Sequence, residues 1–114
     1  MFVLDENPQF EAPLDIQLPG GRKQRIRGTF NVLPVDRVEE LLTAIGKGGE
    51  DAKAAMADLI DEAWVDWKDV VGPDKQPVEF SPERLHALMQ LPYVRAAFLD
   101  QYPAELGGRG RRKN

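Results

Sequence analysis

From Phe10 the chain alternates. Phe10, Ala12, Leu14, Ile16 and Leu18 are apolar, and the positions between them are mostly polar. A period of two marks a strand with one buried face. Pro13 has no amide hydrogen to offer a neighbour, which places this strand at a sheet edge. Pro19, Gly20 and Gly21 supply turn chemistry, and the alternation resumes through Ile26, Gly28, Phe30 and Val32. Residues from about 10 to 33 therefore predict an antiparallel hairpin. A hairpin alone is marginal in water and needs a second layer on its apolar face.

That layer is helical. Asp36 followed by Glu39 predicts a capping-box start, and Val38, Leu41, Leu42 and Ile45 form a stripe closed by Gly46, Lys47, Gly48 and Gly49. Ala52, Ala55, Met56, Leu59, Ile60, Ala63, Trp64 and Trp67 keep three-four spacing, which predicts one long helix carrying both tryptophans. Gly72 and Pro73 stop it, and Pro77 to Phe80 reads as an extended link. Ser81 and Pro82 supply an N-cap and a proline at the first helical position, ahead of Leu85, Leu88 and Met89. Pro92 restarts the chain as a last helix with Val94, Ala97, Phe98 and Tyr102, after which Pro103, Gly107, Gly108 and Gly110 end regular structure. The expected architecture is α+β: an N-terminal antiparallel β-hairpin packed on three to four α-helices, about 36–102, in a single domain over 1–102. A disordered basic tail over 103–114 is expected to follow.

A chain of 114 residues supports one core, and 42% hydrophobic with 30% charged residues is the balance of a folded domain. The lack of cysteine excludes disulfides, thiolate metal sites and cysteine nucleophiles, and makes the cytoplasm the expected compartment. No apolar run approaches the roughly 20 residues that span a bilayer. Met1, Phe2, Val3, Leu4, Asp5 and Glu6 lack the basic start of a signal peptide, so neither membrane insertion nor export by that route is expected. The net charge of −4 understates the acidity of the body, because Arg109, Arg111, Arg112 and Lys113 face only Glu105 in the tail. An acidic body repels nucleic acid, so any such role would rest on those four tail residues.

Candidate chemistry is sparse. His86 is the single histidine, with no local motif to supply a nucleophile or an orienting carboxylate, and reads as a surface or boundary residue. Asp58, Asp61, Glu62, Asp66 and Asp69 are expected on the solvated face of the long helix and lack the loop spacing of a calcium site. Gly20 and Gly21 precede a strand, so they lack the helix N-terminus that lets a glycine loop hold phosphate. No catalytic residue, metal or cofactor is expected. Two readings stay open for Trp64 and Trp67: core, or an anchor at the end of the stripe that a partner or sister subunit covers.

The order of segments resembles the tail assembly chaperones of long non-contractile-tailed bacteriophages. The opening Asn7, Pro8, Gln9, Phe10, Glu11, Ala12, Pro13, then Ile16, Pro19, Gly20, Gly21 and Phe30, follows that pattern. So do Trp64, Val65 and Trp67, then Gly72, Pro77, Val78, Phe80 and Ser81, then Leu85, Leu88, Pro92, Val94, Ala97 and Tyr102. The connector from Gly46 to Asp51 departs from it, being longer and richer in glycine. The resemblance implies a non-enzymatic protein of the host cytoplasm that binds the tape measure protein, keeps it soluble, helps recruit tail tube subunits, and is absent from the virion. It also implies a longer product made by a backward ribosomal slip, the route to the tail tube protein. Arg112, Lys113 and Asn114 are compatible with an adenine run at which slipping occurs.

Ile60, Trp64, Trp67, Phe98 and Tyr102 are the candidate protein-binding residues, and Arg109, Arg111, Arg112 and Lys113 form a candidate electrostatic arm. The edge of the hairpin could also pair two copies, so a homo-oligomer is among the partners considered. The alternative from another class is a small regulatory protein that contacts nucleic acid through its basic tail; such binding would fall steeply with salt.

Overall fold

The computed structural model describes residues 1–108. Strand β1 (Gln9–Gln17) and strand β2 (Lys23–Asn31) form the expected hairpin, in a register that sets Phe10 opposite Phe30, Ala12 opposite Gly28 and Leu14 opposite Ile26. The turn closes through Leu18 N–H to the Arg22 carbonyl at 2.8 Å, with Gly20 and Gly21 both at φ near +85°, a region that only glycine enters without strain. Ala12, Leu14, Ile16, Ile26 and Phe30 are buried on one face, while the other carries charge. There Arg25 meets its cross-strand neighbour Asp15 at 2.8 Å.

Helix α1 (Val35–Lys47) and helix α2 (Gly49–Ala63) follow. The capping box expected at Asp36 and Glu39 is not formed. Pro34 occupies the cap with no side-chain bond, and Asp36 instead lies in the first turn, where its charge complements the positive end of the helix dipole. The helix also passes through Gly46 and Lys47 and breaks only at Gly48 and Gly49, both at φ +76°.

The largest correction concerns the tryptophans. Helix α2 ends at Ala63, and Trp64–Lys68 is strand β3, antiparallel to β2, giving a three-stranded sheet in the order β1-β2-β3. Trp67 sits opposite Gly28 and Trp64 opposite Phe30, so β3 spends one more residue than β2 between the same two rungs. That extra residue, Val65, is a β-bulge. In a regular strand, positions three apart face opposite ways; the bulge brings both indoles to the core face. The resulting spacing imitates a helix.

Beyond β3, an isolated bridge between Val71 and Pro77 closes a turn. Helix α3 (Pro82–Leu88) starts as expected, with Ser81 Oγ accepting from Arg84 N–H at 3.1 Å. Helix α4 (Pro92–Leu106) continues past the boundary expected at Tyr102. Pro103 removes one hydrogen bond, yet its locked φ is helical, and Gly107 N–H still returns to its carbonyl at 3.2 Å. The fold is thus α+β, with α4 lying along β1, α2 against β2 and β3, and α1 and α3 packed on α2. Leu14, Leu41, Leu59, Ile60, Leu85, Met89, Val94 and Phe98 fill the single core between the layers.

Candidate protein-binding surface

The five apolar side chains expected to meet a partner lie inside the fold. Trp64 is 1% exposed and Trp67 7%, and Ile60, Phe98 and Tyr102 are buried with them. Phe30 is the hub, its ring centroid 5.1–6.4 Å from those of Phe10, Trp64, Phe98 and Tyr102. Trp67 stands edge-on to Trp64 and Phe80. The polar tips are satisfied internally: Trp64 Nε1–H donates to the Asp66 carbonyl at 2.9 Å and Trp67 Nε1–H to the Val78 carbonyl at 2.8 Å. Buried rings with paired tips are core. Neither tryptophan sits at an exposed stripe end, because the bulge turns both inward. Arg109, Arg111, Arg112 and Lys113 lie outside the described residues.

The expected sheet-edge contact meets an obstacle as well. The Asp15 amide donates to Gln101 Oε1 at 2.9 Å, and Gln101 Nε2 donates back to the Asp15 carbonyl at 2.7 Å. Helix α4 therefore clamps the outward peptide groups of β1. Alternate residues of a strand turn their backbone groups to the same side, so Pro13 shares that outward side and has no N–H there. A proline next to a clamped residue closes the middle of the edge to strand addition.

Polar residues that the hydrophobic pattern leaves unmarked hold the opposite end of the hairpin. The Asn31 side chain donates to the Glu62 carbonyl at 2.9 Å and accepts from Gln9 Nε2 at 2.9 Å, while its backbone carbonyl accepts from Tyr102 OH at 2.6 Å. One asparagine thus joins β1, β2, α2 and α4. Burial pushes the Tyr102 hydroxyl up to about 12, which keeps it a donor. Nearby, Arg37 forks onto Glu62 through Nε at 2.9 Å and Nη2 at 2.5 Å, reaches Glu40 at 2.9 Å, and lies 3.6 Å from Asp58. The guanidinium holds the Glu62 carboxyl below its usual range. Asp58 and Glu62, expected as a solvated face, are the anchor that fastens α1 to α2.

Consecutive apolar residues remain exposed on the segment that leads into this end. Met1–Leu4 projects from the fold, with Phe2 88% and Leu4 85% exposed, and Val32 and Val35 are exposed beside the start of α1. Asp36, Glu39, Glu40 and Lys47 of α1, with Asp51 of α2, line a shallow depression. At the turn end of the hairpin, a groove of about 1130 Å³ runs between the strands and α4, lined by Ile16, Lys23, Arg25, Tyr93, Ala97 and Asp100 among others. His86 Nε2 lies 2.6 Å from Asp61 Oδ1, a surface contact between α3 and α2. Among the described residues, no group of three or more histidine, cysteine or acidic side chains is placed to hold a metal ion.

The family model for phage tail assembly chaperones matches the chain over residues 1–114. No curated protein and no solved structure matches it.

Proposed function

The chain belongs to the phage tail assembly chaperone family, and from that premise we propose that it binds the tape measure protein, keeps that long helical chain soluble, and helps recruit tail tube subunits around it. The observation that carries this reading is the family match along the full length of the chain. The surface supports it. Exposed apolar side chains at one end can cover apolar stretches of a client, and an acidic exterior keeps the complex in solution. Trp64, Trp67, Ile60, Phe98 and Tyr102 hold the core instead of touching the client.

The protein acts by holding, without cofactor or catalytic step, in the host cytoplasm, and is released before the virion is complete. No helix among the described residues is long and apolar enough to cross a membrane. The folded part, which runs through the end of α4 at Leu106, is the working domain; a product lengthened by ribosomal slipping near Arg112, Lys113 and Asn114 would carry the contact to the tail tube protein. Many weak contacts along one client favour several copies acting together.

Co-expression with the tape measure protein of the same genome tests the reading. The long protein should become soluble only in the presence of this chain, and the two should purify together and stay together in high salt. A tape measure protein equally insoluble with and without the chain, and never recovered with it, would refute the proposal.

A further inference from the structure

We propose that the client-binding surface is the open end of the hairpin, where Met1–Leu4 leaves the fold beside Val32 and Val35, and that its occupant is an amphipathic helical segment whose apolar stripe is flanked by lysine or arginine. This rests on the chaperone reading and specifies its contact.

Placement comes first. Val32 N–H donates to the Pro8 carbonyl at 2.9 Å, which fixes the root of the N-terminal arm against the end of β2, and Val35 opens α1 just beyond. Met1, Phe2, Val3 and Leu4 are each more than three-quarters exposed, as consecutive apolar residues that the core does not use. Val71 and Leu91, the other exposed large apolar residues among those described, are single and scattered. Scattered residues of that kind are ordinary; a run of four consecutive exposed apolar residues is not.

Charge selects the occupant. Asp5 and Glu6 follow the arm directly, and Asp36 and Glu39 stand in the first turns of α1. No lysine or arginine occurs from Met1 to Gly21, and Arg37, the one cation from Asn31 to Glu40, is held by Glu40 and Glu62. Exposed apolar residues followed by acidic ones, with no lysine or arginine near them in sequence, attract a basic-flanked apolar helix and repel an anionic lipid surface. The arm has no regular structure of its own, so it can close around a helix. Ordering that arm on contact weakens each individual contact, which suits a protein that must later be displaced.

The test uses the full chain co-expressed with the tape measure protein and three variants. F2S/V3S/L4S removes the apolar arm, D5K/E6K reverses its charge, and V71S is a control at a remote exposed site. Thermal melts should coincide with the wild type, since these side chains lie outside the core. Recovery of the client should fall about tenfold or more in F2S/V3S/L4S, fall several-fold in D5K/E6K, and stay unchanged in V71S. If the wild type recovers the client and F2S/V3S/L4S does so equally, the surface is wrong while the chaperone reading survives. If D5K/E6K matches the wild type, the basic-flanked occupant is wrong. If the wild type recovers nothing, both readings fall. If F2S/V3S/L4S keeps the client but shifts the chain to a smaller species in light scattering, the arm joins copies of this chain and the proposal is overturned.

Discussion

Replacing Gly28 with alanine tests the packing at the centre of the sheet. Gly28 lies on the buried face of β2, opposite Ala12 on one side and Trp67 on the other. A methyl group there would come within 2.5 and 2.7 Å of two ring atoms of Phe30, Cζ and Cε2, and 3.2 Å from Trp64 Nε1. A ring on the surface would swing aside. Phe30 has no room to do so, since Phe10, Trp64, Phe98 and Tyr102 surround it. Forcing a methyl into a filled core costs about 1–3 kcal/mol, sometimes more. Alanine recovers roughly 0.5–1 kcal/mol of that because its unfolded chain is less free than glycine's. The expected net loss is about 1–2 kcal/mol, which for a domain of this size lowers Tm by roughly 3–12 °C. Far-UV and near-UV melts should agree on it, and the urea midpoint should fall with an unchanged m-value. Gly46, in α1 with open space around it, is the control. Gly46→Ala should gain up to about 1 kcal/mol. In a Phe30→Leu background, which removes the clashing ring atoms, Gly28→Ala should cost clearly less, so the double-mutant cycle reads the contact itself. A Gly28→Ala protein that melts within a degree or so of the wild type would refute this packing.

Three further expectations follow from the polar contacts and the core. Glu62 titrates below its ordinary 4.5 because Arg37 is bound to it, so the pair stabilises the fold above that pH and the benefit is lost as pH falls through the depressed value. The Tm gap between wild type and Arg37→Gln should be open at neutral pH and close as pH falls below 4.5 through the depressed value; a gap that stays constant on acidification would contradict it. Tyr102, raised from 10 to about 12 by burial, should make wild-type stability fall as pH climbs through that interval. Tyr102→Phe should lack this alkaline loss while starting about 1–2 kcal/mol lower for want of its bond to the Asn31 carbonyl, as urea titrations at several pH values would show. Trp64 and Trp67 should emit in the blue and resist acrylamide; strong quenching of either in the native protein would place it at the surface.

Local chemistry was legible at most places where neighbours in sequence are neighbours in space, the unformed Asp36–Glu39 cap excepted. The hairpin, its glycine turn, the edge position of β1 and the Ser81 cap are of this kind. Strand β3 was not, because a bulge at Val65 gives a short strand the three-residue spacing of a helix face, and the helical alanines before it continue the same rhythm. Pro103 misled in the other direction, since a proline in the last turn costs a bond without ending the helix. The buried aromatic residues were visible as a set, yet their side could not be read from spacing alone. Asn31 carried no pattern at all: Tyr102, which it holds, is 71 positions away. The polar clamp between Gln101 and Asp15, 86 positions apart, is of the same sort. The exposed arm was the converse case, a short apolar run that hydropathy marks for burial and the fold leaves outside.

The most direct test of the central claim is to interrupt this gene in its phage and examine induced lysates by electron microscopy, with and without the chain supplied in trans. The account predicts filled heads lacking tails, with tape measure protein in the insoluble fraction, and normal tails once the chain is restored. Normal tails in its absence would contradict the account.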